Sequence, residues 1–266
     1  MTLAVETYPT LREAAQALGD RARYLGGGTL LMRAVNYGDQ SFDRIVRSRE
    51  VDRTVRSEGQ GIRIGAGATM ADVLASRDLI ALHSVARIVG GPAVRNMATV
   101  GGNLFAASPY GDFATALLAL DATVQMADGQ NLPMESFLSG RARMRGIVAS
   151  VTVPRVGEGE FRFAKVSRIK PKGVSMMSLA AVLPGVGSGR LGDVRIAFGT
   201  MGPTPLRAKA AEQALRGRGL TDAEIEPALK VCCDGLQPAD DELATEWYRR
   251  EVAPVHLKRL LLGGRR

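Results

Sequence analysis

Residues 25–31 of this 266-residue chain read Leu-Gly-Gly-Gly-Thr-Leu-Leu, and residues 23–25 before the glycines have the character of a short strand. The apolar spacing after Thr29 predicts a helix, so the three glycines lie between a strand and a helix. Glycine lets a backbone approach a ligand closely, and free N–H groups at a helix start form an anion site. The stretch therefore favours a phosphate-bearing ligand, although a triple glycine also occurs in an ordinary tight turn.

A second glycine pair lies at residues 98–103, which read Ala-Thr-Val-Gly-Gly-Asn. Thr99, Asn103 and the later Ser108 can donate hydrogen bonds to phosphate, and Asp112 can accept them from ribose hydroxyls. No G-x-G-x-x-G follows a strand and no P-loop lysine is present, so neither loop is a known dinucleotide or P-loop fingerprint. Each loop alone also has a purely structural explanation. Together with these polar side chains they favour a nucleotide cofactor whose pyrophosphate is gripped from both sides.

The formal charge of +8 raises the question of nucleic acid binding. The basic residues are scattered among acidic ones, and aromatic residues make up only 5% of the chain, too few for the stacking platforms of single-strand binders. We therefore expect no nucleic acid partner, since an acidic protein surface or an anionic cofactor explains the charge equally well. The basic group Arg141, Arg143 and Arg145 is interpreted as a solvated loop, with docking of another subunit as the alternative.

The only cysteines are the adjacent Cys232 and Cys233. On a helix, neighbouring side chains point ~100° apart, so they make a poor metal pair, and we expect two packed thiols on a C-terminal helix with no metal or iron–sulfur cluster in this chain. His83 and His256 are isolated, and no catalytic acid or base is expected. The lack of a disulfide framework and of a signal peptide predicts a cytoplasmic protein, and the longest apolar run, residues 113–120, is too short for a membrane span.

The periodicity predicts a mixed α+β chain. Capping boxes begin helices at Thr10 and Thr69, and the segment 90–112, which has no clean period, is interpreted as a functional irregular stretch. A change in character at residues 154–160 indicates a domain boundary. The second half is predicted to contain four strands (147–153, 161–166, 175–183 and 191–198) and then three helices (207–216, 222–233 and 242–261).

Residues 25–31 and 98–104 resemble the first and second FAD loops of the medium subunits of molybdenum hydroxylases, a family that includes carbon monoxide dehydrogenase and the split xanthine dehydrogenases. The resemblance continues through nearly the whole chain, at residues 106–113, 116–122, 203–208 and 248–250. It implies a vanillyl-alcohol-oxidase (PCMH)-type FAD-binding domain of two α+β subdomains over residues 1–155. A C-terminal flavoprotein domain of antiparallel strands and helices is implied over residues 160–264.

The resemblance also implies which residues bind FAD. By matching positions they are Leu25, Gly26, Gly27, Gly28, Thr29, Leu30, Leu31, Thr99, Val100, Gly101, Gly102, Asn103, Ser108, Asp112 and Lys165. Val89 and Ser175 stand where relatives approach the adenine or the flavin. FAD is expected to be non-covalent, because Thr29 stands where some covalent flavin oxidases place the linking histidine. One departure is Leu30, where many relatives have Asp or Ser.

The resemblance further implies an electron-transfer role within a complex. Molybdopterin is expected on a large partner subunit and two [2Fe-2S] clusters on a small one. The three subunits are expected to assemble as a dimer of heterotrimers, in which electrons pass through FAD to an external acceptor. Two alternatives stay open at this point. One is a stand-alone flavin oxidase or reductase of the same fold, and the other is an assembly scaffold without FAD. The sequence leaves the acceptor open among NAD, a quinone and oxygen.

Overall fold

A computed structural model describes residues 3–169 and 173–263. The basic residues Lys170, Lys172, Arg265 and Arg266 and the outermost limits of the two predicted domains lie outside the described residues. In chain order the elements are β1 (Ala4–Tyr8), α1 (Leu11–Gln16), β2 (Ala22–Tyr24), α2 (Leu31–Asn36), β3 (Arg44–Ser48), β4 (Val55–Glu58), β5 (Gly61–Gly65), α3 (Met70–Ala75), α4 (Ile80–Ala86), α5 (Pro92–Arg95), α6 (Val100–Leu104), α7 (Asp112–Ala119), β6 (Thr123–Met126), β7 (Asn131–Pro133), α8 (Met134–Gly140), β8 (Val148–Pro154), β9 (Phe161–Val166), β10 (Met177–Val182), β11 (Arg195–Gly199), β12 (Leu206–Arg207), α9 (Lys209–Leu215), α10 (Asp222–Lys230) and α11 (Glu246–Leu262).

The chain divides into two compact units that are not continuous in sequence. The first contains the described residues up to Ala106 together with Ala122–Pro154, and the second contains Ala107–Asp121 and the described residues from Arg155 onward. Helix α7 therefore packs with the C-terminal part of the chain, although it precedes β6 to β8 in sequence.

The first unit contains two sheets. A parallel three-stranded sheet has the order β1-β3-β2, and α1 packs against β1 and β3. An antiparallel five-stranded sheet has the order β4-β5-β8-β6-β7. Helices α3 and α6 begin at threonine caps, Thr69 and Thr99, whose hydroxyl oxygens accept from backbone N–H groups of the first helical turn. These two caps are joined directly, since Thr69 and Thr99 form an isolated antiparallel bridge.

The second unit is a four-stranded antiparallel sheet, β12-β11-β10-β9, covered by helices on both faces. Every residue of β10 is buried, which is the pattern of a central strand without a solvated face. Met177, Leu179 and Ala181 contribute to a core shared with α9, α10 and α11. On the alternate positions Ser178 meets Thr115 of α7, whose residues are all buried.

Most elements predicted from the sequence are confirmed, including both capping boxes and the hairpin between β6 and β7 at Asp128 and Gly129. The segment 90–112 was predicted to be irregular, and this is wrong in part because it contains α5 and α6. Helices of four and five residues are too short to show a 3.6-residue period. The prediction also misses β1 and α8. The expected helix over residues 222–233 ends at Lys230, so Cys232 and Cys233 lie in the turn after α10.

No helix in the described part of the chain combines the length and the apolar character needed to cross a bilayer. Within the same residues, no group of three or more His, Cys, Asp or Glu side chains is placed to hold a metal ion.

Candidate cofactor-binding site

The first glycine loop continues directly from β2. The Leu25 N–H donates to the Val46 carbonyl at 2.8 Å, which extends the pairing with β3 by one residue. The chain then turns through three glycines, and Gly28 has φ +71°, a left-handed conformation that favours glycine. A β-carbon at Gly28 would in addition lie 3.2 Å from Leu25 Cδ1 and 3.3 Å from Met32 Cγ. The turn therefore depends on glycine for both its backbone angle and its packing.

The two glycine loops touch each other. A β-carbon built at Gly27 would lie 1.7 Å from the Met97 carbonyl oxygen and 3.1 Å from the Thr99 nitrogen. A β-carbon built at Gly26 would lie 3.0 Å from Thr99 Oγ1. The missing side chains thus allow the backbone of one loop to lie against the backbone of the other. The convergence expected from the sequence is present within the first unit.

The N–H groups of the two loops are used differently. In the second loop Val100 donates to the Ala68 carbonyl at 2.8 Å and Gly101 to the Ala66 carbonyl at 2.9 Å. The next two N–H groups also bond locally, Gly102 to Thr99 Oγ1 at 3.1 Å and Asn103 to the Thr99 carbonyl at 3.0 Å. The N–H groups from Val100 to Asn103 are therefore already bonded, whereas no described residue accepts a hydrogen bond from the Thr99 N–H.

The first loop is the opposite case. Among the described residues, none accepts a hydrogen bond from the backbone N–H groups of six consecutive residues, Gly26, Gly27, Gly28, Thr29, Leu30 and Leu31. Apart from Gly26, these residues are only partly exposed. Buried backbone N–H groups in native proteins nearly always have partners, and partly exposed ones bond to water or to a ligand. A run of six such donors is suited to an anion. Leu30, which caps α2, makes no side-chain capping bond.

Asn103 supplies an independent indication of a ligand. Its side chain is 9% exposed, and Oδ1 is the one buried side-chain N or O atom of the described residues without a hydrogen-bond partner. Leaving such an acceptor unsatisfied costs ~1–3 kcal/mol. Asn103 follows Gly102, whose α-carbon lies 3.9 Å from the β-carbon position of Gly26. An amide that lacks a partner thus lies beside the contact between the loops.

Arg141 lies at the other end of α6. It donates to the Leu104 carbonyl at 2.7 Å, and burial lowers the pKa of its guanidinium. The solvated loop expected for the basic group is therefore wrong for Arg141, which is half-buried, whereas Arg143 is exposed and Arg145 pairs with Asp20 on the surface. Sequence reasoning missed this contact because a side chain that packs against a carbonyl 37 positions away leaves no local pattern.

The remaining predicted site residues, Ser108, Asp112 and Lys165, belong to the second unit. Asp112 is 4% exposed and has partners for both carboxylate oxygens. Ser175 Oγ donates to Oδ1 at 2.6 Å, and Lys165 Nζ lies 3.0 Å from Oδ2. Ser108 is exposed, precedes a cis peptide bond to Pro109, and is not part of this cluster. The structure thus joins Asp112, Lys165 and Ser175 into one buried polar group.

A second buried charge in this unit lies on α11. Arg249 is 1% exposed and donates to both oxygens of Asp241, at 2.8 and 2.7 Å, and to the carbonyls of Met176, Ala239 and Ala244. Burial raises the pKa of Asp241, but the hydrogen bonds from Arg249 and from backbone N–H groups outweigh it and hold that pKa below its ordinary value. Arg249 thereby fixes the segment before α11 to the sheet.

Comparison with known proteins shows the family to which this chain belongs. Residues 3–156 match the family described as the FAD binding domain in molybdopterin dehydrogenase, and residues 162–263 match the CO dehydrogenase flavoprotein C-terminal domain. The chain belongs to the FAD-binding medium subunits of the molybdenum hydroxylase family. The resemblance read from the two glycine loops is thereby confirmed, together with the predicted α+β fold class. The medium subunit is a component of an oxidoreductase, and its cofactor is FAD.

Individual relatives extend over most of this chain. The glyceraldehyde dehydrogenase medium chain of Sulfolobus acidocaldarius is 27% identical over 263 residues, covering 92% of each chain. The xanthine dehydrogenase FAD-binding subunit of Escherichia coli O157:H7 is 25% identical over 273 residues, covering 95% of this chain and 92% of that subunit. In a solved structure of carbon monoxide dehydrogenase from Hydrogenophaga pseudoflava, a chain 24% identical has the same fold, with a TM-score of 0.88 over 98% of this chain and 96% of that one.

The residues of the first unit fit FAD. A diphosphate needs several hydrogen-bond donors near one another, and the first loop offers six N–H groups without acceptors. Any side chain at position 27 would prevent the two loops from packing together, and this position is a glycine. The unpartnered amide of Asn103 adds a side-chain group that a bound molecule would satisfy.

Proposed function

We propose that this chain is the electron-transfer subunit of a molybdopterin-dependent hydroxylase or dehydrogenase. In this role it receives electrons from iron–sulfur clusters of a partner subunit and passes them through FAD to an external acceptor. The observation that carries the proposal is the row of unpartnered N–H groups from Gly26 to Leu31, in a loop whose Gly27 lies against the backbone of Met97 and Thr99.

The role of the first unit in this proposal is to bind and orient. The N–H groups of Gly26 to Leu31 donate to the pyrophosphate of FAD, and Thr99, Val100, Gly101 and Gly102 form the rigid wall opposite. Asn103 contributes its side-chain amide. The cofactor is held non-covalently, and when bound it supplies the redox chemistry. No side chain of this chain is assigned as an acid or a base.

The second unit contributes a preformed polar group. Lys165 has three N–H donors, of which one is directed to Asp112, and each carboxylate oxygen has two lone pairs. Asp112 and Lys165 therefore keep capacity for further hydrogen bonds after pairing with each other. We assign Asp112, Lys165 and Ser108 to contacts with the cofactor outside the pyrophosphate, as the family resemblance implies. We also retain the domain limits proposed from the sequence, residues 1–155 and 160–264.

The proposal assigns molybdopterin to a large partner subunit and [2Fe-2S] clusters to a small one, assembled as a dimer of heterotrimers. The assignment of partner subunits is supported by the relatives, which are medium chains or FAD-binding subunits of dehydrogenases. The charge of +8 suits an acidic surface on a partner. A cytoplasmic location stays a prediction.

Purification of the tagged full-length chain from its own host tests the proposal. We expect FAD absorbance in the purified material, two co-purifying proteins that carry molybdopterin and iron–sulfur clusters, and flavin reduction by substrate only when all three are present. Reduction of the flavin by substrate in the isolated chain would indicate the stand-alone oxidase or reductase. Absence of flavin from an intact complex, with no binding of added FAD, would indicate the scaffold.

A matched pair of variants of the purified complex tests whether FAD binding depends on the contact between the two loops. Gly27→Ala introduces a β-carbon at the contact between the loops, whereas Gly19→Ala places one 3.7 Å from the flexible end of Arg44, an ordinary contact. We expect Gly27→Ala to assemble with depleted FAD and Gly19→Ala to retain full occupancy. Equal FAD occupancy in the two variant complexes would contradict the site assignment, and loss of the partners with FAD still bound would contradict only the assembly.

A further inference from the structure

Two thiols lie together in a part of the molecule that the proposed function does not use. Cys232 and Cys233 lie in the turn after α10, with their sulfur atoms 3.9 Å apart. Both are free thiols, and they are the only two cysteines in the chain. Cys232 is 1% exposed and belongs to the core of the second unit, whereas Cys233 is half-buried at its edge. Cys232 is thus enclosed in the core, and Cys233 is partly exposed.

The surroundings make the two sulfurs chemically unequal. The Arg250 guanidinium donates to the Cys233 carbonyl at 3.4 Å and to the Leu236 carbonyl at 3.0 Å. The hydrogen bond from Cys232 lowers the pKa of the Cys233 thiol, burial opposes this, and the charge of Arg250 lowers it further, against Asp234. The same hydrogen bond and burial raise the pKa of the Cys232 thiol. A thiolate at Cys233 therefore has a protonated neighbour.

We propose that Cys232 and Cys233 form a peroxide-sensitive dithiol site that closes reversibly into a disulfide. In the first step the Cys233 thiolate attacks a peroxide oxygen, the O–O bond breaks, and Cys233 becomes a sulfenic acid while hydroxide leaves. In the second step the Cys232 sulfur attacks the Cys233 sulfur, the S–O bond breaks, and water leaves with the Cys232 proton. Two thiols are oxidised by two electrons, and one hydrogen peroxide is reduced to two waters.

The position of the pair favours an easily reversed bond. Consecutive α-carbons are separated by about 3.8 Å, which is below the range of about 4.4–6.8 Å usual in disulfides. A bond formed between neighbours is therefore strained and readily opened by an added dithiol. The turn must also rearrange when the disulfide forms, and this changes the hydrogen bond from the Arg250 guanidinium to the Cys233 carbonyl. The site thus couples oxidation to the contact between this turn and α11.

Treatment of the purified full-length chain with stoichiometric hydrogen peroxide tests the proposal. We expect intact mass spectrometry to show the loss of two hydrogen atoms, with both thiols lost to a thiol reagent and both restored by dithiothreitol. Because the chain has no other cysteine, an intramolecular disulfide can only join these two. Progressive oxidation of Cys233 to sulfinic acid, without the loss of two hydrogens, would overturn the proposal.

Two variants assign the roles of the sulfurs. With Cys232→Ser we expect a sulfenic acid at position 233 that dimedone traps, and with Cys233→Ser we expect the reaction of the remaining thiol with peroxide to slow by at least about tenfold. Equal rates for wild type and Cys233→Ser would contradict the assignment. Circular dichroism of each variant checks the fold. Should a variant not fold, binding of one phenylarsine oxide per wild-type chain, blocked by prior peroxide treatment, is the second measurement. Failure to bind would count against a paired site.

Discussion

The backbone of Gly27 lies against the carbonyl of Met97 so closely that a β-carbon at position 27 would be 1.7 Å from the carbonyl oxygen. No side-chain rotation can relieve this overlap, because the backbone fixes the position of a β-carbon and the Met97 carbonyl belongs to the main chain. The contact between the two glycine loops therefore requires glycine at this position.

The Gly27→Ala variant separates the two loops. We expect FAD affinity to fall by at least about tenfold, which corresponds to ~1.4 kcal/mol. The reason is that the loop carrying the N–H groups from Gly26 to Leu31 is no longer packed against the second loop. Gly19→Ala in the same unit is the control, and its affinity should match the wild type. Titration of each apo-protein with FAD, followed by flavin fluorescence, provides the measurement. An unchanged dissociation constant for Gly27→Ala would exclude the convergence of the loops as the basis of binding.

Substitution of Asn103 should affect stability and affinity differently, because its buried side-chain oxygen destabilises the apo-protein while it lacks a hydrogen-bond partner. Asn103→Ala removes a buried acceptor that lacks a partner, so the apo-protein should unfold at the same temperature as the wild type or at a higher one. FAD affinity should nevertheless fall by about tenfold, or ~1.4 kcal/mol. Thermal melts with and without FAD measure both effects, and the exposed Asn131→Ala is the control. A loss of apo-protein stability with no loss of affinity would reverse the interpretation.

The ion pair between Asp112 and Lys165 should matter for stability as well as for the site. With both side chains nearly buried, Asp112→Ala leaves the Lys165 ammonium without its carboxylate, and we expect the free energy of unfolding to drop by ~3–5 kcal/mol. The double variant Asp112→Ala with Lys165→Met should recover most of this loss. Urea denaturation measures it, and Asp193→Ala, which breaks an exposed pair with Arg216, should have little effect. A double variant no more stable than Asp112→Ala would contradict the argument.

Titration of the Asp241 carboxyl group should make the stability of the protein depend on pH. Its pKa is lowered in the folded protein by the hydrogen bonds from Arg249, so its contribution is complete above the unfolded value of about 3.9 and is lost as the pH falls through the folded pKa. The stability difference between wild type and Asp241→Asn should therefore be constant from pH 7 to about pH 5 and shrink below about pH 4. Denaturant unfolding at each pH tests this. A difference that grows on acidification would show that the sign is wrong.

Local chemistry explains what the sequence could predict. The glycines of the first loop, the capping boxes at Thr10 and Thr69, and the alternating strands are properties of neighbouring residues. The meeting of the two loops was also predictable, because both have the composition of a phosphate cradle.

Long-range pairing explains what the sequence could not predict. Asp112 bonds to Ser175, 63 positions away, and no local pattern announces this contact. Val100 and Gly101 were predicted to contact the cofactor, and the sequence did not show that their N–H groups donate to the carbonyls of Ala68 and Ala66. Glycine content alone cannot tell a free N–H group from one that a neighbouring segment has already bonded.

The central claim is that the N–H groups from Gly26 to Leu31, and not those from Val100 to Asn103, are the backbone donors for the FAD diphosphate. Hydrogen–deuterium exchange of the apo-protein with and without FAD tests it most directly. We predict fast exchange from Gly26 to Leu31 that slows markedly on FAD binding, and slow exchange from Val100 to Asn103 in both states. Bound FAD without protection of residues 26–31 would contradict the account.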